Sequence, residues 1–153
     1  MRSIVSIVPT ATDLDIPALA ARLRLGVTRL ARRLRQEAGA GITPSMLSAL
    51  STLDRRGPLT MRDLCAAEKV QPPTMTRIVA ALVEAGLAVR NPDPSDGRVA
   101  WVRLTPAGRK LIDRVRRRKD EYLARAMRDL EPHELAALED AAAILERITG
   151  GQV

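Results

Sequence analysis

The stretch RNPDPSDGRVAWVRLTPAG, residues 90–108, decides the fold of this chain. Ala100, Val102 and Leu104 recur at a spacing of two, and upstream Leu87 and Val89 do the same, so two short strands with apolar sides flank a polar segment. That segment is Asn91-Pro92-Asp93-Pro94-Ser95-Asp96-Gly97. Its two prolines have no amide proton for a ladder, and Asp followed by Gly supplies the positive φ that a hairpin tip needs. A projecting loop is expected, with Arg98 at its base. Thr105 then caps a new helix whose first position is Pro106, where a missing N–H costs nothing. Strand, basic loop, strand and helix, in that order, make a β-wing.

Upstream, Thr60-Met61-Arg62-Asp63 has the form of a capping box, with Asp63 in place of the more usual Glu, and opens a short helix over residues 61–68. Lys69 and Val70 form a tight connection. Pro72 and Pro73 suit the first turn of the next helix, in which Met75, Ile78, Val79 and Leu82 fall on one buried face and which Gly86 ends as a left-handed cap. Burying that face turns Thr74, Thr76 and Arg77 outward, with Gln71 and Pro73 beside them. Hydroxyls, an amide and a guanidinium on the first half of a helix are groups that read base edges in a major groove. Arg77 has two rival uses, as a clamp on a phosphate or as the partner of an acid in its own domain.

Residues 42–108 resemble the winged helix-turn-helix of the MarR family of bacterial transcription regulators. The matching residues are Met75-Thr76-Arg77, Leu82 followed by Gly86-Leu87 and Arg90, the wing Asp96-Gly97-Arg98, and Leu104-Thr105 followed by Gly108. With the flanking helices the resemblance extends over residues 14–148. It implies a single, mainly α domain with a small β-wing, comprising a DNA-binding lobe at 42–105 and dimerisation helices at 14–38 and 106–149. Double-stranded DNA is the implied partner, met by Gln71, Pro73, Thr74, Thr76 and Arg77 on the recognition helix and by Arg90, Ser95 and Arg98 on the wing. Relatives in the family often bind a phenolic or aromatic acid between the dimerisation helices and the winged lobe, which weakens DNA binding. With no Phe, one Trp and one Tyr, such a pocket here would be lined by Leu, Val, Met and Ala, with Arg as the polar anchor.

Composition and patterning bound the remaining choices. At 153 residues the length is that of one domain, and a net charge of +7 with a pI near 10.9 favours a polyanionic partner. Residues 106–128 hold nine Lys and Arg against three acids, and residues 129–150 hold one Arg against six acids. The cluster Arg114, Arg116, Arg117, Arg118 and Lys119 either holds phosphate or a partner, or is the wet face of its helix. An apolar stripe runs through Ile16, Leu19, Leu23, Val27, Leu30 and Leu34, and another through Leu135, Leu138, Ala142, Leu145 and Ile148. A small winged lobe cannot cover both, so a homodimer is expected, which would set two recognition helices one DNA turn apart on an inverted repeat.

Other chemistries find little support. One cysteine, Cys65, excludes an intramolecular disulfide framework and fits a reducing cytoplasm; beside Leu64 it reads as a small core residue rather than a redox sensor. His133 is the sole histidine, so neither a metal site nor a cofactor is expected. No nucleophile and base or paired carboxylates converge, which argues against an enzyme. The apolar run at residues 4–8 is too short for a secretory leader, and no segment approaches the ~18 apolar residues of a membrane span. Residues 1–12 are open to two readings, an unstructured arm or an added dimer contact. The competing function is a winged-helix protein-interaction module without sequence-specific DNA binding, for which Arg77 and Arg98 would be dispensable.

Overall fold

A computed structural model of the chain describes residues 14–150, so the two readings of residues 1–12 lie outside the described residues. After Gln36 the chain divides into two compact units. The first holds most of α1 (Ile16–Ala38), whose opening turn is tied by the Asp15 carboxylate accepting the Ala18 amide at 3.0 Å. Its apolar stripe is exposed, Ile16 at 68% and Val27 at 50%. Gly39 and Gly41, both at positive φ, follow its end.

The second unit is built from α2 (Pro44–Arg56), β1 (Leu59–Thr60), α3 (Met61–Glu68), α4 (Pro72–Glu84), β2 (Ala88–Pro92), β3 (Ala100–Leu104), α5 (Pro106–Ala126) and α6 (Pro132–Ile148). Three of these helices start at a Thr hydroxyl that accepts a third-turn-position amide: Thr43 for Met46, Thr60 for Asp63 and Thr105 for Gly108. The core gathers Leu50 and Leu53 of α2, Leu64 of α3, Met75, Val79 and Leu82 of α4, Val102 of β3 and Ile112 of α5. Each such side chain contributes about 1.5–3 kcal/mol on leaving water, so apolar burial from five elements fixes the lobe. The expected buried face of α4 is therefore present, with Ile78 half-buried at its edge.

The sheet is antiparallel in the order β1-β3-β2. It departs from the sequence reading in two ways. A third strand exists: Leu59 pairs with Val102 and Thr60 with Trp101, and two residues are too few to show a period. The inward residue of the first wing strand is Ala88, fully buried opposite Leu104, whereas Val89 pairs with Arg103 and stays 36% exposed. The larger side chain suggested the wrong phase, because register follows the partner strand rather than side-chain size. The box at Thr60 is also one-sided. Asp63 is a methylene shorter than Glu, and its carboxylate takes the Thr60 hydroxyl at 2.7 Å instead of a backbone amide.

Polar contacts clamp the helices. Asp54 of α2, only 8% exposed, receives Arg109 at 3.0 Å and Arg116 at 2.7 Å from α5. Glu68 of α3 accepts the hydroxyls of Ser48 and Thr52. Arg118 donates to the Ala38 carbonyl at 3.1 Å. Two members of the basic cluster on α5 are thus committed inside the fold.

Candidate nucleic-acid interface

The exposed half of α4 is shaped by what its first turn lacks. Gln71 is the N-cap but makes no capping bond through its side chain, and Pro72 and Pro73 remove two amides that would otherwise be orphaned. Gln71, Pro73, Thr74, Thr76 and Arg77 are all exposed, as expected from the buried Met75 and Val79. The Thr76 hydroxyl donates to the Pro72 carbonyl at 2.9 Å, leaving its lone pairs outward. Arg77 enters no hydrogen bond or ion pair among the described residues, so no described acid pairs with it.

A full Schellman closure ends α4: Gly86, at φ 69°, donates to Val83 at 2.9 Å, and Leu87 donates to Leu82 at 2.9 Å. The chain then meets the start of α5. Thr105 donates its hydroxyl to the Gly86 carbonyl at 2.7 Å and its amide to the Leu87 carbonyl at 3.1 Å, while that hydroxyl accepts from Gly108 at 3.0 Å. Gly108 is required by space: a Cβ there would stand 2.1 Å from the Leu87 carbonyl oxygen. The separate matches Gly86-Leu87 and Leu104-Thr105 followed by Gly108 are one joint that fixes the wing strands against the recognition helix.

The wing loop is wound around a carboxylate that the sequence reading passed over. Asp93 Oδ1 accepts the Ser95 amide at 2.8 Å, the Ser95 hydroxyl at 2.5 Å and the Asp96 amide at 3.2 Å; Oδ2 accepts the Trp101 indole N–H at 2.7 Å. The Ser95 hydroxyl, then the Trp101 N–H and the Ser95 amide, hold the Asp93 carboxyl well below the usual carboxylate range. Ser95 spends its hydroxyl proton inside the loop, and Trp101 has a polar partner in Asp93. Asp96 accepts the Arg98 amide at 3.0 Å, and the Arg98 guanidinium, 95% exposed, stands 3.6 Å from the same carboxylate.

Two clefts flank the start of α3. One, of about 320 Å³, is lined by Met61, Arg62, Cys65, Pro72, Thr76 and Arg90. The other, of about 510 Å³, is lined by Thr60, Met61, Arg62, Asp63, Arg98, Val99 and Ala100. Arg90 thus lies beside Thr76 at the foot of α4, and Arg98 beside the head of α3. Arg62, seen in the sequence only as part of a cap, borders both. The pairing of Thr60 with Trp101 puts it there, and no local spacing reveals a contact between residues so far apart in the chain. Among the described residues no cluster of His, Cys, Asp and Glu is suited to a metal ion, and no helix is long and apolar enough to cross a membrane.

Comparison with known proteins agrees with this arrangement. The family model described as "MarR family" matches residues 42–100. A helix-turn-helix-type transcriptional regulator of Mycobacterium bovis is 38% identical over 128 residues, covering 83% of this chain and 90% of that protein. The crystal structure of a transcriptional regulator from Pseudomonas aeruginosa superimposes with a TM-score of 0.78 at 36% identity, covering 87% of this chain and 95% of that one. A MepR variant from S. aureus, solved bound to an oligodeoxyribonucleotide, shares the fold with a TM-score of 0.67 at 21% identity, covering 88% and 98% of the two chains. The chain belongs to the MarR family of winged helix-turn-helix transcriptional regulators, a class of regulators and not of enzymes.

Proposed function

We propose that this regulator binds an inverted-repeat DNA operator as a homodimer and represses transcription by occupying it. The observation that carries the reading is that α4 and the wing, held by one joint at Gly86, Thr105 and Gly108, leave both Arg77 and Arg98 exposed. In this reading α4 enters the major groove with Gln71, Thr74 and Arg77 foremost, and Arg98 enters the neighbouring minor groove, where an Arg senses groove width more than base identity. The oligonucleotide bound by the MepR relative supports the assignment of partner.

Release by a small-molecule ligand is the second part of this proposal. A cleft of about 430 Å³ has apolar walls of Ala40, Ile42, Leu87 and Leu111, with Lys110 and Arg114 at its rim. That lining suits an amphipathic organic anion. Leu87 is also the residue whose carbonyl touches Thr105 and crowds Gly108, so a ligand pressing on it would strain the joint that orients the wing against α4.

The test is selection of genomic fragments by the purified protein at ~0.15 M salt, where exposed charges are screened beyond about 8 Å. Recovery of an inverted repeat is expected; fragments no better than background would favour a protein-interaction module. With the selected duplex, Thr74→Ala should mainly relax sequence choice, by about 1–3 kcal/mol at its position, and Arg98→Ala should weaken all duplexes and alter the preference for narrow-groove flanks. Equal loss of specificity from both substitutions would overturn this division.

A further inference from the structure

We infer that Arg62 is a backbone phosphate contact, holding the sugar-phosphate strand that passes between the major groove occupied by α4 and the minor groove occupied by the wing. The inference rests on the proposed docking of α4 and Arg98 and assigns a role to the surface between them. Major and minor grooves are separated by one phosphodiester strand, so whatever lies between a recognition helix and its wing must face that strand. Here Arg62 occupies that place. It borders the cleft that contains Thr76 and Arg90 at the foot of α4, and equally the cleft that contains Arg98 at the base of the wing.

Three further observations favour a phosphate over other occupants. Arg62 is exposed and enters no hydrogen bond or ion pair among the described residues, so its five donors are uncommitted. Its neighbouring acid, Asp63, accepts the Thr60 hydroxyl at 2.7 Å and forms no ion pair with it. Its position is set from both sides: Leu64, two residues on, is fully buried, and Thr60 is paired with Trp101 in the sheet. A guanidinium anchored at such a point matches a phosphate by its planar fork and carries no sequence information.

The test is fluorescence anisotropy of wild type, Arg62→Gln and Arg62→Lys on a labelled duplex of roughly 30 base pairs, long enough for two half-sites, taken from the fragment selection. Each lost phosphate contact should lower the slope of log affinity against log salt by about one, which at ~0.15 M salt is about a fivefold loss per bound subunit. Arg62→Gln should show both effects on selected and scrambled duplexes alike, Arg62→Lys should restore most of the slope, and thermal melts should coincide. Phosphate-ethylation interference on the wild type should mark one phosphate per half-site that ceases to interfere with Arg62→Gln. An unchanged slope and ethylation pattern for Arg62→Gln, with wild type binding normally, would overturn the inference alone. A change in base preference would overturn it in favour of direct readout. Failure of the wild type to bind any duplex would overturn it together with the operator reading.

Discussion

Trp101 reports on the wing because its indole N–H ends on the Asp93 carboxylate, around which the first half of the loop is wound. Asp93 takes three donors from its own turn and the fourth from Trp101 of β3, so ionisation of this side chain holds the first half of the loop, from Asp93 to Asp96, against β3. These donors stabilise the charged form and lower the folded pKa. The contribution is therefore complete above the ordinary Asp value of about 3.9 and drains away as pH falls below it towards the lowered folded value. Emission from this sole Trp should stay flat from about pH 8 to pH 4.5 and change only in acid below about pH 3.9. Asp93→Asn should shift the emission at neutral pH and weaken DNA binding as Arg98 loses its frame. A transition near neutrality in the wild type would show that some other group controls the wing.

Among the elements, the joint between α4 and α5 has the least slack. Gly108 packs its Cα against the Leu87 carbonyl, and a methyl group 2.1 Å from that oxygen cannot be absorbed by a flexible side chain. Gly108→Ala should cost about 3 kcal/mol, at the upper end for overpacking, since α5 must lift from the loop that α4 ends in. Urea unfolding should show the lower midpoint, and an unchanged midpoint would mean that the joint is loose. Most of this joint was legible beforehand, because caps are written locally: Thr105 before Pro106, Gly86 after an apolar helical face, and the two prolines opening α4. What was not legible depends on pairing at long range. Ala88 rather than Val89 faces inward because its partner is Leu104, and β1 exists because Leu59 finds Val102. The same pairing carries Arg62 to the space between recognition helix and wing, so the functional residue missed and the strand missed have one cause.

At the scale of the whole molecule, the end helices leave apolar stripes exposed. In α1, Ile16, Leu19, Leu23, Val27 and Leu30 are 36–68% exposed, and α6 buries no residue at all, with Leu135, Leu138 and Leu145 each about two-fifths exposed. Soluble monomers rarely leave such continuous stripes uncovered, and a second copy offers each of them a partner. Leu25 provides an internal contrast. It is 45% exposed like Leu23, yet at 3.6 residues per turn it lies about 200° around α1 from Leu23, away from the stripe. Leu23→Asp and Leu138→Asp should each remove a buried side chain worth about 2 kcal/mol from both halves of a two-fold interface, weakening the dimer by about a thousandfold. Leu25→Asp should leave the dimer intact. Sedimentation equilibrium of the three variants separates the cases: dissociation by the stripe substitutions alone supports the dimer face, and equal dissociation by Leu25→Asp would assign the effect to added charge. Loss of inverted-repeat binding in step with dissociation, while half-site binding persists weakly, would tie the spacing of the two α4 helices to those stripes.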